Sequence, residues 1–347
     1  DHLAEQLRRA GLTATLRRQK GEPTVADVDT AVEHARSEGV DVLLGLGGGS
    51  AIDAAKAVAG LLNNGGSAVD YMEVIGKGLK ITRPAAPWIA IPTTAGTGAE
   101  ATRNAVIGLP ERQFKASIRS ELLLPRVALI DPELGIDVPP DVTARSGMDA
   151  LCQLIESYTS TGAQLVTDAL ALQGVTLASR SLARAYHDGR DLDARQDMAL
   201  AAHLSGVTLT NAGLGAVHGF AAPLGANFRA PHGTICAALL PHVIAANFEA
   251  MKRSPDGAPG ITRYADIGRR LGARADASDE DAASECVRFT AYLARELNIP
   301  PLARFGLTEA RVPEMVALAR KASSMRYNPV ILSDEALAAA LVAAIRG

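Results

Sequence analysis

The stretch Val40-Asp-Val-Leu-Leu-Gly-Leu-Gly47-Gly-Gly-Ser50-Ala-Ile-Asp53-Ala-Ala-Lys56 decides the fold. Its first residues place apolar side chains on both faces of an extended chain, which predicts a parallel strand covered on both sides. A run of glycines follows, and a segment of helical composition begins at Ser50. Strand, glycine turn and helix in this order predict a βαβ unit, and therefore an α/β domain.

The glycine turn at residues 47–49 suits an anionic ligand. Glycines let the backbone come close to a ligand, and the N-terminus of the next helix offers free N–H groups and a positive dipole end. A phosphate or pyrophosphate would fit, but a tight turn without a ligand has the same pattern. The turn is neither a Walker A loop nor a Gly-x-Gly-x-x-Gly fingerprint, so the residues alone indicate an anion site and leave its ligand unnamed.

Further strands are predicted along the first part of the chain, at residues 13–16, 87–92 and 126–131, with a β-ribbon at 105–108 and 115–119. The loop Thr93-Thr94-Ala-Gly-Thr97-Gly-Ala-Glu100 follows the strand at 87–92. Hydroxyls and glycine amides at the carboxyl end of a strand bind nucleotides in open α/β sheets. A Thr/Gly turn without a ligand explains the same segment equally well.

The composition changes after Pro139. Long segments of helical period replace the strands, at residues 143–157, 164–185, 194–210, 234–248, 261–271, 279–297, 309–322 and 334–345. The sequence therefore predicts an α/β domain at 1–138 and an all-helical domain at 139–347, with the ligand cleft between them.

The composition excludes several classes of protein. The 347 residues carry a net charge of -3, with 48% hydrophobic and 21% charged residues, so no basic surface for nucleic acid and no polybasic membrane patch is expected. We expect neither a signal peptide nor a membrane anchor. We also expect that the chain lacks some natural N-terminal residues. The cysteines (Cys152, Cys236, Cys286) are widely spaced and odd in number, which predicts free, buried thiols in a reducing cytoplasm.

Two pairs of polar residues are candidates for a metal site. Thirteen residues separate His218 from His232, and a helix followed by a turn could bring both imidazoles onto one ion. Asp149 and Gln153 lie four residues apart and so share a helix face. Taken alone, each pair also has an ordinary structural explanation, as packed or solvated side chains.

Taken together, these segments resemble the iron-containing (group III) alcohol dehydrogenase family, which includes the maleylacetate reductases. The resemblance covers nearly the whole chain. It rests on five motifs: Gly47-Gly-Gly-Ser50-x-x-Asp53-x-x-Lys56, Pro92-Thr-Thr-Ala-Gly-Thr-Gly98, Asp131-Pro-Glu-Leu134, Gly147-Met-Asp-Ala-Leu151 and the segment 218–232. It implies a dehydroquinate synthase-like architecture, with an NAD(P)-binding domain at 1–138 that lacks its first strand and helix, and a helical metal and substrate domain at 139–347.

The resemblance also implies a cofactor site for NAD or NADP across the sheet edge. The diphosphate would lie on the glycine turn. The implied cofactor residues are Gly47, Gly48, Gly49, Ser50, Asp53, Thr93, Thr94, Thr97 and Lys115. The acidic residue that often selects NAD over NADP follows the first strand of family members and cannot be located in this chain, so the nucleotide stays open.

A divalent metal, Fe²⁺ or Zn²⁺, is implied in the interdomain cleft. Asp149, His218 and His232 stand at three usual ligand positions and would act in catalysis through the metal. Gln153 stands where the family has a histidine, and its neutral amide oxygen should bind more weakly or leave the position to water. Ala222 stands where many members have a histidine near the nicotinamide, so that proton relay is absent.

The activity implied is that of an NAD(P)-dependent alcohol dehydrogenase, which interconverts an alcohol and an aldehyde or ketone by hydride transfer. A small-molecule substrate and a homodimer or larger homo-oligomer are implied with it. One alternative is a maleylacetate reductase-like, metal-independent reductase of an oxo acid, in which Arg103 and Arg229 could hold a carboxylate. A dehydroquinate synthase-like lyase is the other.

Overall fold

A small parallel sheet and a β-ribbon organise the first part of the molecule. The computed structural model describes residues 2–112 and 114–347. Its strands are β1 (Leu43–Gly47), β2 (Trp88–Pro92), β3 (Asn104–Leu109), β4 (Phe114–Arg119) and β5 (Val127–Ala128). The parallel sheet has the order β1-β2-β5, with Leu44 opposite Ile89 and Ala90 opposite Ala128. β3 and β4 form the predicted antiparallel ribbon.

Two of the strand predictions need correction. Residues 13–16 are not a strand, because among the described residues no neighbour pairs with the outer edge of β1. The prediction that β1 is covered on both faces is also wrong, since Leu46 is 45% exposed. The last strand is also shorter than the predicted 126–131, since only Val127 and Ala128 belong to β5.

Four helices are described in the first part; the first of them buries no residue, and the other three pack against the sheet or the ribbon. They are α1 (His2–Arg9), α2 (Val25–Ser37), α3 (Gly49–Asn64) and α4 (Ala68–Tyr71). Thr24 caps α2, because its side chain accepts a hydrogen bond from the Asp27 amide at 3.1 Å. Buried residues of α2 and α3 form one core cluster with residues of the ribbon.

From Pro140 onward the described chain is helical. The helices are α5 (Pro140–Thr159), α6 (Leu165–His187), α7 (Leu192–Ala212), α8 (Ala216–Phe228), α9 (His232–Lys252), α10 (Ala258–Arg270), α11 (Asp279–Glu296), α12 (Val312–Ala319) and α13 (Asp334–Arg346). By length and composition α9 could cross a membrane, but 72% of its most apolar window is buried inside the structure, as in a core helix.

The loop after β2 joins the two parts. Gly98 adopts φ +59°, and a Cβ atom there would lie 2.3 Å from the Ala202 carbonyl oxygen and 2.5 Å from the Gly206 nitrogen, so the loop backbone lies directly on α7. The Ser205 hydroxyl, also on α7, lies 3.3 Å from the Gly96 carbonyl oxygen. Any ligand held by this loop therefore lies next to the helical part.

Candidate active site

Three of the predicted metal ligands meet where α5, α8 and α9 come together. Asp149 lies in α5, His218 in α8, and His232 is the first residue of α9. The Oδ1 atom of Asp149 lies 3.3 Å from Nε2 of His218 and 3.6 Å from Nε2 of His232. The predicted helix followed by a turn is present, because α8 ends at Arg229 in a left-handed conformation just before His232. The structure therefore brings these three side chains to one point.

The carboxylate of Asp149 lacks a partner that its burial requires. Asp149 is 1% exposed, and its Oδ1 atom accepts no hydrogen bond from the described residues. A buried oxygen without a partner is costly, and a cation would satisfy it. Burial alone would raise the pKa of Asp149, but His232 and His218 hold it below its ordinary value. One carboxylate and two imidazoles form a donor set that fits a divalent transition metal.

Glu156 orients His218 from behind. Its Oε2 atom accepts a hydrogen bond from Nδ1 of His218 at 2.6 Å, and its Oε1 atom accepts one from the Val217 amide at 2.7 Å. This bond places the proton of His218 on Nδ1 and leaves Nε2 free toward Asp149. No role was predicted for Glu156 from the sequence. The available signal was its position seven residues after Asp149, on the same face of α5.

Gln153 lies beside this cluster, but its amide oxygen binds Ser205 and not the point between Asp149 and the histidines. Its amide oxygen accepts a hydrogen bond from Ser205 Oγ at 2.8 Å, and its amide nitrogen lies 3.4 Å from Asp149 Oδ2. Gln153 thus contacts the carboxylate oxygen that is not shared with the two histidines. Through Ser205 it also links Asp149 to the loop after β2.

Cys236 lies within the cluster, which the sequence did not reveal. Its Sγ atom is 3.7 Å from Nε2 of His218 and 3.7 Å from Nε2 of His232. Cys152 lies on the other side of His218, 3.9 Å from Nδ1. Burial of all three cysteines is confirmed, and His218 lies beside two of them. The signal was the spacing from His232 to Cys236, which is one helical turn.

The cluster of Asp149, His218 and His232 is accessible to solvent on one side. The side chain of His232 is 39% exposed, whereas that of His218 is 7% exposed. Ala222, in α8, is exposed, and its methyl group cannot transfer a proton. Access to the cluster therefore lies on the side of His232.

The glycine turn forms a close cradle at the start of α3. Gly48 caps the helix without a side-chain hydrogen bond, and the first turn carries no acidic residue. A Cβ atom at Gly48 would lie 3.2 Å from Thr94 Oγ1, and one at Gly49 would lie 2.9 Å from Thr97 Oγ1. The free amides, the helix dipole and the two hydroxyls favour an anion at this point. The residues fit a cofactor diphosphate.

A cleft lies at the carboxyl end of β2, next to the loop that carries Thr94. Thr93 and Thr94 line one wall, Asp131 and Pro132 another, and Arg195 of α7 also lines the cleft. The Thr93 amide donates a hydrogen bond to the Gly47 carbonyl oxygen at 2.9 Å, so a residue that lines the cleft is bonded to the glycine turn. This is where an open α/β sheet binds nucleotides.

The other predicted cofactor residues lie nearby but have partners within the protein. Asp53 Oδ2 accepts a hydrogen bond from the Val106 amide at 3.0 Å, which ties α3 to the ribbon. Lys115 forms an ion pair with Glu22, and a Cβ atom at Gly225 of α8 would lie 3.2 Å from its Nζ atom. Contacts of Asp53 and Lys115 with a cofactor stay predictions.

The two arginines considered for an oxo acid lie next to different elements. Arg103 pairs with Glu121 at 3.2 Å near the surface of the ribbon. Arg229 ends α8 and is exposed. Their arrangement gives no specific support to a carboxylate site.

Comparisons with known protein families and structures agree over nearly the whole chain. Residues 1–132 match the family described as iron-containing alcohol dehydrogenase, and residues 143–345 match the C-terminal part of the Fe-containing alcohol dehydrogenase family. Alcohol dehydrogenase 4 of Saccharomyces cerevisiae is 39% identical over 80% of this chain and 69% of the relative. 1,3-Propanediol dehydrogenase of Klebsiella pneumoniae is 34% identical over 98% of this chain and 85% of the relative.

Solved structures have the same fold. A crystal structure of a 1,3-propanediol oxidoreductase superposes with a TM-score of 0.90 at 34% identity, covering 98% of this chain and 86% of the other. Sulfoacetaldehyde reductase from Bifidobacterium kashiwanohense, in complex with NAD⁺, superposes with a TM-score of 0.85 at 29% identity, covering 99% and 87%. The predicted fold class, an α/β domain followed by an all-helical domain, is confirmed.

Proposed function

Because the chain belongs to the iron-containing alcohol dehydrogenase family and is an oxidoreductase that acts on alcohols, we propose that it interconverts a small alcohol and its aldehyde or ketone with NAD(P) and a divalent metal. The observation that carries the proposal is the buried Asp149 oxygen without a hydrogen-bond partner, facing the Nε2 atoms of His218 and His232. When bound, nicotinamide accepts or supplies the hydride and the metal polarises the substrate oxygen.

The cofactor half of the site is the cradle with its adjoining cleft. The amides at Gly49 and Ser50 and the hydroxyls of Thr94 and Thr97 would hold the diphosphate. The loop that carries these threonines reaches Asp149 through Ser205 and Gln153. Contacts within the protein thus connect the cofactor half to the metal half.

The metal half would use Asp149, His218 and His232 as ligands, with Glu156 fixing the tautomer of His218. Gln153 would keep the Asp149 carboxylate in place through its hydrogen bond to Oδ2. Because Ala222 provides no relay, we propose that the proton passes to water on the exposed side of His232.

Location and assembly are further parts of the proposal. We propose a cytoplasmic enzyme, supported by three free cysteines. We also propose a homodimer or a larger homo-oligomer, which sedimentation velocity at micromolar concentration would test; a monomer throughout would contradict it.

Turnover of nicotinamide with a panel of substrates tests the proposed activity. The purified protein should reduce NAD⁺ or NADP⁺ with simple alcohols and diols and oxidise the reduced cofactor with the matching aldehydes. Reaction with maleylacetate and other oxo acids but with no aldehyde would instead support the metal-independent reductase. Consumption of a substrate without net nicotinamide turnover would support a lyase.

A further inference from the structure

We propose that Cys236 is the fourth protein ligand of the metal, which gives a site of one carboxylate, two imidazoles and one thiolate that takes zinc and would become five-coordinate when the substrate oxygen binds. This inference rests on the proposed function, since it concerns the same site. Cys236 is fully buried and follows His232 by one turn of α9, so both side chains lie on the same face of that helix.

The distances among the donor atoms carry the argument. A tetrahedral zinc ion places nitrogen and sulfur ligands about 3.6 Å apart and nitrogen and oxygen ligands about 3.3 Å apart, given Zn–N of about 2.05 Å and Zn–S of about 2.3 Å. Cys236 Sγ lies 3.7 Å from Nε2 of both histidines. Asp149 Oδ1 lies 3.3 Å and 3.6 Å from the same two atoms. All four donor atoms lie within 4.8 Å of one another.

The Asp149 oxygen provides a second, independent observation. Oδ1 is buried, has no hydrogen-bond partner among the described residues, and faces the same point as the two Nε2 atoms. Four donor atoms thus lie together: Sγ of Cys236, Nε2 of His218 and of His232, and Oδ1 of Asp149. Without a cation, Oδ1 has no hydrogen bond to offset its burial.

The neighbouring side chains are less suitable as the fourth ligand. Cys152 approaches Nδ1 of His218, the nitrogen that already donates to Glu156, and not Nε2. Gln153 contacts Oδ2 of Asp149, and Ser205 holds its amide oxygen. Cys236 therefore replaces the ligand that Gln153 does not supply. A thiolate favours zinc over harder cations, which selects zinc in preference to Fe²⁺.

Cobalt(II) spectroscopy of the full chain tests this assignment without measuring activity. The protein is stripped of metal and receives one equivalent of Co²⁺. We expect visible d–d bands of four-coordinate cobalt together with a near-ultraviolet thiolate-to-cobalt charge-transfer band. The charge-transfer band should disappear in Cys236→Ala, and zinc affinity should fall at least about tenfold, since loss of even an outer partner costs that much.

Matched variants keep the test informative. Cys152→Ala removes the other buried thiol beside His218 and should keep the band, as should Cys286→Ala and Gln153→Ala. If Cys236→Ala does not fold, a band retained in a variant lacking both Cys152 and Cys286 assigns the thiolate to Cys236.

Three results would overturn the inference. Wild-type protein that binds Co²⁺ without a charge-transfer band would reject Cys236 as a ligand and leave the proposed metal-assisted function intact. A charge-transfer band that is lost in Cys152→Ala and kept in Cys236→Ala would show that Cys152 supplies the thiolate, and it would contradict the proposal. Failure to bind either Co²⁺ or Zn²⁺ would reject the metal site itself, and with it the proposed function.

Discussion

The hydrogen bond between Glu156 and His218 shows how a residue outside the ligand set controls the site. Both side chains are 7% exposed, so the bond forms away from water. The carboxylate accepts the Nδ1 proton, holds the ring and makes Nε2 a better donor to a metal.

Changing Glu156→Gln should weaken metal binding by about 10- to 100-fold, the range expected for loss of a partner of a ligand. The amide keeps the shape of the side chain but removes its charge and lets the tautomer of His218 change. Competition with a chromophoric chelator measures the dissociation constant.

The matched control for that variant is Glu296→Gln. Glu296 also binds a histidine, with Oε1 2.7 Å from Nε2 of His187, but that pair is on the surface and far from the cluster in sequence. The control should keep wild-type metal affinity. Equal affinity in the wild type and Glu156→Gln would show that Glu156 only fills space.

At the level of elements, the turn from β1 into α3 does two things. It begins a helix without a side-chain cap, and it brings the backbone close to the threonines of the loop after β2. The free amides and the close approach both depend on residues without side chains at this point. The helix end is thereby kept available to a ligand.

Gly49→Ala should weaken dinucleotide binding at least about tenfold, which corresponds to about 1.4 kcal/mol. The new Cβ would lie 2.9 Å from Thr97 Oγ1 and would occupy the cradle. Thr97 must move to make room for this Cβ, and the preference of alanine for a helix, about 1 kcal/mol over glycine, offsets part of that cost in stability. Titration of the protein with NAD⁺ and NADP⁺ by calorimetry measures the effect.

Gly108→Ala is the control, since a Cβ there meets only the Pro23 carbonyl oxygen at an ordinary 3.7 Å. It should bind dinucleotide like the wild type. If Gly49→Ala also binds normally, the cradle does not hold the diphosphate.

A second feature of α3 is the buried pair of Asp53 and Lys56. Lys56 Nζ donates hydrogen bonds to Ala99 O, Thr102 Oγ1 and Asn104 O at 2.7 to 2.8 Å, and it lies 3.8 Å from Asp53 Oδ1. Burial raises the pKa of Asp53 to about 6, although Lys56 opposes the shift. Burial likewise lowers the pKa of Lys56 to about 8. The pair holds the loop and the ribbon against α3.

The raised pKa of Asp53 predicts a pH dependence of stability. The folded protein holds this proton more tightly than the unfolded chain, so the stabilising contribution is complete below about pH 4 and is lost as the pH rises through about 6. The free energy of unfolding of the wild type, relative to Asp53→Asn, should fall by at most about 3 kcal/mol across this window. Urea unfolding of both proteins at several pH values measures it.

Asp70→Asn is the control, because the contribution of Asp70 to stability changes with pH in the opposite direction. The hydrogen bond and charge of Lys77 lower the pKa of Asp70, so its contribution is lost as the pH falls. If the difference in free energy of unfolding between the wild type and Asp53→Asn does not change with pH, the titration does not belong to Asp53.

At the scale of the whole molecule, the sequence predicted what depends on local pattern. Helical periodicity from Pro140 onward, the strand at 88–92 and the ribbon all follow from residue spacing and are present. The strand at 13–16 is absent because a strand needs a neighbour, and pairing is not a local property.

Some residues of the candidate site could likewise be predicted from the sequence, and others could not. Asp149, His218 and His232 could be named because their spacing and order match a known family. Cys236 and Glu156 could not, because their roles depend on how α5, α8 and α9 cross. Neither residue type nor spacing fixes that crossing, which follows from packing in the helical core.

Removal and return of the metal is the most direct test of the central claim, that Asp149, His218 and His232 hold a metal required for alcohol oxidation. Exhaustive chelation should abolish NAD(P)⁺-dependent alcohol oxidation while dinucleotide binding remains, because the cradle does not use these residues. One equivalent of Zn²⁺ or Fe²⁺ should restore activity in the wild type and fail to restore it in Asp149→Ala. Full activity in protein shown by elemental analysis to contain no metal would contradict the claim.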